Sequence, residues 1–323
     1  MNDASPCLIG LDWGTSSLRA WLLDGRGQIL DSRHEPWGIL HTPDHDFARA
    51  YQQVVGAWRA DYPDIPALAC GMIGSRGGWH EVPYVSAPAD AEAIAGGLLE
   101  IDTGIDRLSL VPGVMQHSNA DTGMLPNVMR GEETQLLGVL ARHPALAEHA
   151  MLIMPGTHSK WALIEHERLL QFTTHMTGEL YAVLREHSIL GRPAAECHED
   201  ACDAASQQAF EEGLANARAS GGAGLSGQLF SVRSRVLAGE LTPAVSLAYL
   251  SGLLIGEEIR SALASLGDTR CPRLALIGDE ALCRRYRQAL AHFDLTDIET
   301  ISDASISGLM RLARSAGLIE PHH

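Results

Sequence analysis

The sequence predicts an α/β protein made of two duplicated domains. Three observations carry that expectation. The chain has 323 residues, more than one ordinary core organises and about right for two domains of roughly 150 residues each. Strand-like apolar runs alternate with stretches of helical period along the whole chain. Each half also opens in the same order: strand, polar turn, strand, hairpin, strand.

The first half reads as follows. Leu8 to Trp13 is a buried strand ending in a polar turn. Ser16 to Leu23 returns as a second strand, Asp24-Gly25-Arg26-Gly27 is a hairpin turn, and Gln28 to His34 is a third strand. Phe47 to Trp58 has helical spacing, Ala67 to Met72 is a strand, Ala89 to Leu99 a helix and Leu108 to Val111 a strand. The second half repeats the opening with strands at Met151 to Met154, Trp161 to Ile164 and Leu169 to Met176. Helices are expected over Gly178 to His187, Ala201 to Ala217, Gly227 to Ala238 and Ala244 to Ala264. The chain closes with strand Arg273 to Ile277, helix Ala281 to Phe293, strand Asp297 to Ile301 and helix Ala304 to Ala316.

The two opening turns resemble each other in residues as well as in place. Gly14-Thr15-Ser16-Ser17-Leu18-Arg19 stands beside Gly156-Thr157-His158-Ser159-Lys160-Trp161. Each has Gly-Thr, a Ser three residues after the Gly, and a base within the next two positions. This plan is similar to that of the sugar kinase, heat-shock ATPase and actin superfamily. The resemblance implies two ribonuclease-H-like domains with an interdomain cleft and a phosphate-binding hairpin on each side. The expected division is 1–130, with the first phosphate turn and the substrate side, and 131–323, with the second phosphate turn and the adenosine site. The final helix, about 303–317, would pack back at the domain junction.

Composition narrows the function classes. Hydrophobic residues are 46% and charged residues 20%, ordinary values for a globular protein. No apolar run approaches the roughly 20 residues that span a bilayer. The N-terminal segment has no basic region and no apolar signal core, so a cytoplasmic protein is expected. The net charge of -16 repels phosphate backbones and argues against nucleic acid as a partner. A phosphate site must therefore overcome that field locally. Of the six cysteines, only Cys197 and Cys202 cluster, with His198 between them. Reduced structural thiols explain them better than zinc, because no second ligand pair has finger-like spacing.

Several residues have the chemistry of phosphoryl transfer. Asp12 ends the first strand, where a carboxylate suits Mg2+, through water, beside a polyphosphate. Gly14 lets backbone approach phosphate, and Thr15 and Ser16 add donors to an anion cradle; Gly156 and Thr157 repeat this in the second half. Arg19 reaches either a phosphate or a neighbouring carboxylate, and Lys160 has the same two readings. Glu132 and Glu133 fall in the first turn of an expected helix, where carboxylates suit the dipole. Alternatively, Glu132 accepts the proton of the attacking hydroxyl, and Arg130 pairs with an anionic substrate. In the Gly-rich loop Gly74 to Trp79, after the strand Ala67 to Met72, Ser75 and Trp79 either line a sugar pocket or form a turn with a packed Trp. Gly278, between a strand and a helix, is an adenosine-side candidate. Two patterns are set aside. Gly222-x-Gly224-x-x-Gly227 follows a helix and reads as a loop, and no P-loop is present.

At these residues the chain is similar to the 2-dehydro-3-deoxygalactonokinase family. The blocks are Asp12-Trp13-Gly14-Thr15 with Leu18-Arg19-Ala20-Trp21, Gly71-Met72-Ile73-Gly74-Ser75 with Gly78-Trp79, and Val128 to Gln135. Met154-Pro155-Gly156-Thr157-His158 with Lys160-Trp161, Met176 to Leu180 and Leu250 to Gly256 complete them. The resemblance implies transfer of the ATP γ-phosphate to the 6-hydroxyl of 2-dehydro-3-deoxy-D-galactonate, with ATP and Mg2+ as cofactors and Glu133 also near the substrate. Glycerol-kinase-like relatives carry a catalytic Asp in a Gly-Asp-Gln segment; here Glu132 follows Gly131, and Glu133 and Asp121 stand as alternatives for the base. Two rivals remain at this point: a kinase of another sugar or sugar acid, and a nucleotide-gated regulator. The oligomeric state stays open, with a homodimer among the options.

Overall fold

The computed structural model describes residues 5–120, 123–197, 203–220, 224–266 and 272–320. Asp121, His198, Cys202 and Gly222, which the sequence brought forward, lie outside the described residues.

The chain opens with β1 (Pro6–Trp13), β2 (Leu18–Asp24) and β3 (Ile29–Glu35). The β1–β2 and β2–β3 pairs are antiparallel. The Asp24 carboxylate closes the second hairpin by accepting the Arg26 and Gln28 N–H groups at 2.9 and 2.8 Å. Helix α1 (Phe47–Asp61) follows, capped by the Asp46 carboxylate on the Arg49 N–H at 2.9 Å. Its Ala50, Tyr51, Val54, Val55 and Trp58 recur at helical spacing and are buried. They pack with Ile9, Leu11 and Trp13 of β1 in one core cluster, and each such large side chain contributes about 1.5–3 kcal/mol by burial.

Next come β4 (Ala67–Cys70), β5 (Val85–Ser86), α2 (Ala91–Gly96), β6 (Leu99–Asp102), β7 (Arg107–Leu110), β8 (Val114–Gln116), β9 (Asn127–Met129) and α3 (Glu132–Arg142). The main sheet has the order β3-β2-β1-β4-β7-β6, and β5-β8-β9 form a small sheet of their own. The strand expected to reach Met72 stops at Cys70, because Gly71 turns the chain at φ 95°. The helix expected over Ala89 to Leu99 is shorter. Asp90 caps it, Gly96 and Gly97 end it, and Leu99 begins β6.

The second half comprises β10 (His149–Met154), β11 (Ser159–Glu165), β12 (Arg168–His175), α4 (Thr177–His187), α5 (Arg192–Ala195), α6 (Asp203–Ala219), α7 (Gly224–Leu229), α8 (Ser231–Leu237) and α9 (Ser246–Leu266). It ends with β13 (Arg273–Ile277), α10 (Glu280–Ala291), β14 (Ile298–Ile301) and α11 (Ser305–Ser315). The second sheet runs β12-β11-β10-β13-β14. In both sheets the second strand of each half lies between the third and the first, and later strands follow on the far side, three in the first sheet and two in the second. That shared order is the duplication that the sequence predicted. The single helix expected over Gly227 to Ala238 is two, α7 and α8, and the stretch read as a loop around Gly224 and Gly227 is α7.

The chain divides into two compact units, 1–150 with 163–172 and 303–323, and 151–162 with 173–302. The boundary expected after residue 130 therefore moves. Helix α3 belongs to the first unit, and so does α11. The two helices pack at backbone distance: a Cβ on Gly138 would overlap the Ala304 carbonyl, and one on Gly308 the Thr134 carbonyl. Glycine at both positions makes that approach possible. Among the described residues no helix is long and apolar enough to cross a membrane.

Candidate active site

In the first unit, strand β1 delivers Asp12 to its C-terminal end, beside the turn Gly14 to Ser17. The Gly14 N–H donates to the Ser17 carbonyl at 2.9 Å and closes the turn. The Ile39 N–H holds the Gly14 carbonyl at 3.0 Å. Thr15 and Ser16 are exposed at its tip. Arg19 ion-pairs with both Asp12 and Asp303, so of its two sequence readings the carboxylate holds in this structure. Burial pushes the Asp12 carboxyl up, and the Arg19 guanidinium opposes that shift.

Two glycines bring the start of α3 to Asp12. Gly71 has φ 95°, and a Cβ there would lie 2.7 Å from the Trp13 carbonyl oxygen and 3.2 Å from Asp12 Oδ1. Gly131 has φ 100°, and its Cβ would lie 3.2 Å from the Gly71 Cα. Side chains rarely adopt that conformation and would block the contact. The ends of β1 and β4 and the N-terminus of α3 thus meet, with Glu132 and Glu133 on the first turn of α3.

The two carboxylates differ. Glu132 is half-buried, and its Oε2 accepts the Arg130 N–H at 2.9 Å. Glu133 is buried; it accepts the Gly131 N–H at 2.7 Å and the Thr134 hydroxyl at 3.0 Å. Burial, and then the charge of Glu132, push the Glu133 carboxyl up to about 7. This predicts a pH effect on stability. From the ordinary value of 4.5 to about 7, the folded protein holds a proton that the unfolded chain has lost. Stability therefore falls as pH rises through that window and levels off above it, by up to about 3 kcal/mol. Glu133→Gln should flatten that dependence and raise the melting temperature at pH 8, as read by thermal denaturation across pH.

Arg130 follows β9, an edge strand of the small sheet. Its guanidinium lies 4.4 Å from the Tyr84 ring centroid, and Nη2 donates to the Val82 carbonyl at 2.8 Å. Its Nε and Nη1 are buried without a partner, as is Ser75 Oγ. A Cβ on Gly74, the residue before Ser75, would come within 3.0 Å of Arg130 Nη1. Trp79 is half-buried and packs against Trp13, Phe47 and Tyr51 at centroid distances of 6.4, 6.4 and 5.9 Å. It extends the core cluster, which is the packed-Trp reading, and leaves part of its ring exposed.

In the second unit, Gly156 and Thr157 form the turn between β10 and β11. The Glu179 N–H donates to the Thr157 carbonyl at 3.1 Å, which sets this turn at the N-terminus of α4, where a helix favours anions. Lys160 points inward and is buried. Beside the turn lies a cavity of about 460 Å³, within the usual range for a small-ligand site. Its walls are Gly156 and Thr157, Thr177 and Tyr181 of α4, Ser251, Leu254 and Ile255 of α9, and Leu282, Arg285 and Tyr286 of α10. Gly278 is not on that wall; with φ 139° it sits behind Pro155, and the helix after it supplies the lining residues. The sequence carries Ser251, Leu254 and Ile255 only within the Leu250 to Gly256 block, with no site role, and no pattern marks Leu282, Arg285 and Tyr286.

A model of the 2-keto-3-deoxy-galactonokinase family matches residues 12–312. The chain belongs to that family. It is 36% identical over 307 residues to a protein of Rhizobium meliloti (strain 1021) described as a probable 2-dehydro-3-deoxygalactonokinase, covering 94% of this chain and 96% of the relative. It is 35% identical over 284 residues to the 2-dehydro-3-deoxygalactonokinase of Escherichia coli (strain K12), covering 87% and 88%. A crystal structure from Sinorhizobium meliloti, provisionally assigned as a 2-dehydro-3-deoxygalactonokinase, superposes with a TM-score of 0.83 at 35% identity, over 95% of this chain and 98% of that one. The family match spans both opening turns, Arg130 to Glu133 and the lining residues of the cavity.

Proposed function

We propose that this chain is a cytoplasmic kinase that transfers the γ-phosphate of ATP to the 6-hydroxyl of 2-dehydro-3-deoxy-D-galactonate in galactonate breakdown. The observation that carries the acid as acceptor is Arg130. Arg130, only 8% exposed and with two unpartnered guanidinium nitrogens, calls for an anionic ligand. A buried charge without a partner costs several kcal/mol, and the carboxylate of a sugar acid removes that cost on binding.

The other residues take roles around that anchor. Gly14, Thr15 and Ser16 are the phosphate-binding turn of the first unit, and Gly156 and Thr157 that of the second. The adenosine occupies the cavity of the second unit, with Gly278 shaping its edge from behind Pro155. Ser75, Trp79, Arg130 and Glu133 form the sugar side. Glu132 takes the proton of the acceptor hydroxyl, because it is the accessible member of the carboxylate pair. Asp12, a single partly exposed carboxylate beside a phosphate turn, fits Mg2+, which keeps most of its waters and needs only one or two protein ligands. When bound, Mg2+ neutralises polyphosphate charge.

Arg130→Met separates this reading from a structural role for Arg130. The variant should bind 2-dehydro-3-deoxy-D-galactonate at least about a hundredfold more weakly by calorimetry, from the 3–5 kcal/mol lost when one partner of a buried pair is removed. Its melting temperature without ligand should be little changed, because the lost Val82 hydrogen bond and Tyr84 contact are offset by removing a buried charge with two unpartnered nitrogens. A variant that melts lower and still binds the acid normally would refute the assignment.

A further inference from the structure

The cavity of the second unit has a buried carboxylate behind it that no sequence pattern singled out. Glu258, in the middle of α9, is 3% exposed. Its Oε1 accepts the Ser159 hydroxyl at 2.6 Å and the Trp161 indole N–H at 2.8 Å. Its Oε2 accepts the Thr177 hydroxyl at 2.5 Å and the Tyr286 hydroxyl at 2.6 Å. One side chain thus ties β11, α4 and α10 to α9. Thr177 and Tyr286 are themselves lining residues of the cavity.

The direction of these bonds has a chemical consequence. An indole N–H can only donate, so Oε1 is fixed as an acceptor. An ionised Glu258 then takes the protons of both Thr177 and Tyr286. Burial and the Glu258 charge push the Tyr286 phenol well up, so it keeps its proton to donate. Each hydroxyl is left with lone pairs alone for any further partner, and both residues line the cavity. A ligand group that donates is welcome there, and a group that only accepts meets repulsion. Misplacing one such polar group leaves it buried and unpaired, which is enough to discriminate between close analogues.

We propose that Glu258 sets the hydrogen-bond polarity of the nucleoside pocket, making Thr177 and Tyr286 acceptors that select a donor on the nucleoside. This rests on the nucleoside reading of the cavity given above. ATP carries two kinds of donor that fit: the exocyclic amine of adenine and the ribose hydroxyls. Glu258 acts through its two partners and is a positioning residue. Its charge, more than its shape, carries the effect.

Glu258→Gln tests this with little change of shape. Trp161 requires an oxygen opposite it, so the amide nitrogen replaces Oε2 and must donate to Thr177 and Tyr286. Both hydroxyls are then freed to donate into the cavity. Binding of ATP, inosine triphosphate and 2′-deoxy-ATP is measured by calorimetry without sugar acid. Inosine triphosphate replaces the amine by a carbonyl, and 2′-deoxy-ATP lacks one ribose donor, so the two probes separate the two sources. The wild-type protein should prefer ATP over at least one analogue by tenfold or more, and Glu258→Gln should reduce that ratio at least tenfold. Tyr286→Phe, which removes one acceptor, should reduce it too and decides the matter if the first variant does not fold. Unchanged ratios in the variants, or a wild type that binds all three alike, would overturn the inference alone. A wild type that binds none of the three would overturn the nucleotide reading of the cavity as well.

Discussion

Asp12→Asn is expected to lower kcat by on the order of a thousandfold, the loss of several kcal/mol of charge stabilisation at a metal-assisted step, while the protein keeps its fold. The fold should survive because Arg19 retains Asp303 as a partner, so no cation is left unpaired. Asparagine also keeps an oxygen toward Arg19 at the end of β1. The loss should fall on kcat more than on the KM for the sugar acid if, as proposed, Arg130 anchors the acid. Steady-state kinetics beside a thermal melt read both parts. A variant that turns over at the wild-type rate would remove Asp12 from the mechanism.

Glu132→Gln is expected to reduce kcat by about 10²–10⁴, the usual contribution of a positioned general base. The amide still accepts the Arg130 N–H, so the start of α3 should hold. Glu133→Gln should cost far less in kcat, because Glu133 is closed off by the Gly131 N–H and the Thr134 hydroxyl. One observation favours the opposite assignment: a carboxyl pushed up to about 7 is well matched to a base working near neutrality. Rates from pH 5 to 9 distinguish the two. If Glu133 is the base, Glu133→Gln abolishes a rise in kcat centred near pH 7, and Glu132→Gln keeps the rise but moves it to lower pH, because the Glu132 charge that helps push Glu133 up is gone.

Much of this arrangement was legible in local sequence. The turn after β1 declared itself through an apolar run ending in Asp12-Trp13-Gly14-Thr15, and its echo at Gly156-Thr157 revealed the duplication. The start of α3 was legible because two carboxylates preceded an apolar helical run. What escaped lacked a period or depended on distant packing. Strands β5, β8 and β9 have two or three residues each, too few to show alternation, yet they position Arg130. The cavity walls on α9 and α10 carry apolar residues that a sequence cannot tell from core. Glu258 reads as a solvated helix residue until four donors converge on it. The domain boundary was misplaced because the contacts of α3 with α11 join residues far apart in the chain, through glycines that look like helix weak points.

The most direct test of the whole account is an ADP-release assay with ATP and a panel of acceptors. The panel should contain 2-dehydro-3-deoxy-D-galactonate, its stereoisomer at C4, other sugar acids and neutral hexoses. The account predicts that 2-dehydro-3-deoxy-D-galactonate gives the highest kcat/KM and that neutral hexoses fall at least about a hundredfold below it, the discrimination expected of a site built around a buried cation. A neutral hexose phosphorylated as well as the acid, or no ADP released with any acid, would contradict it.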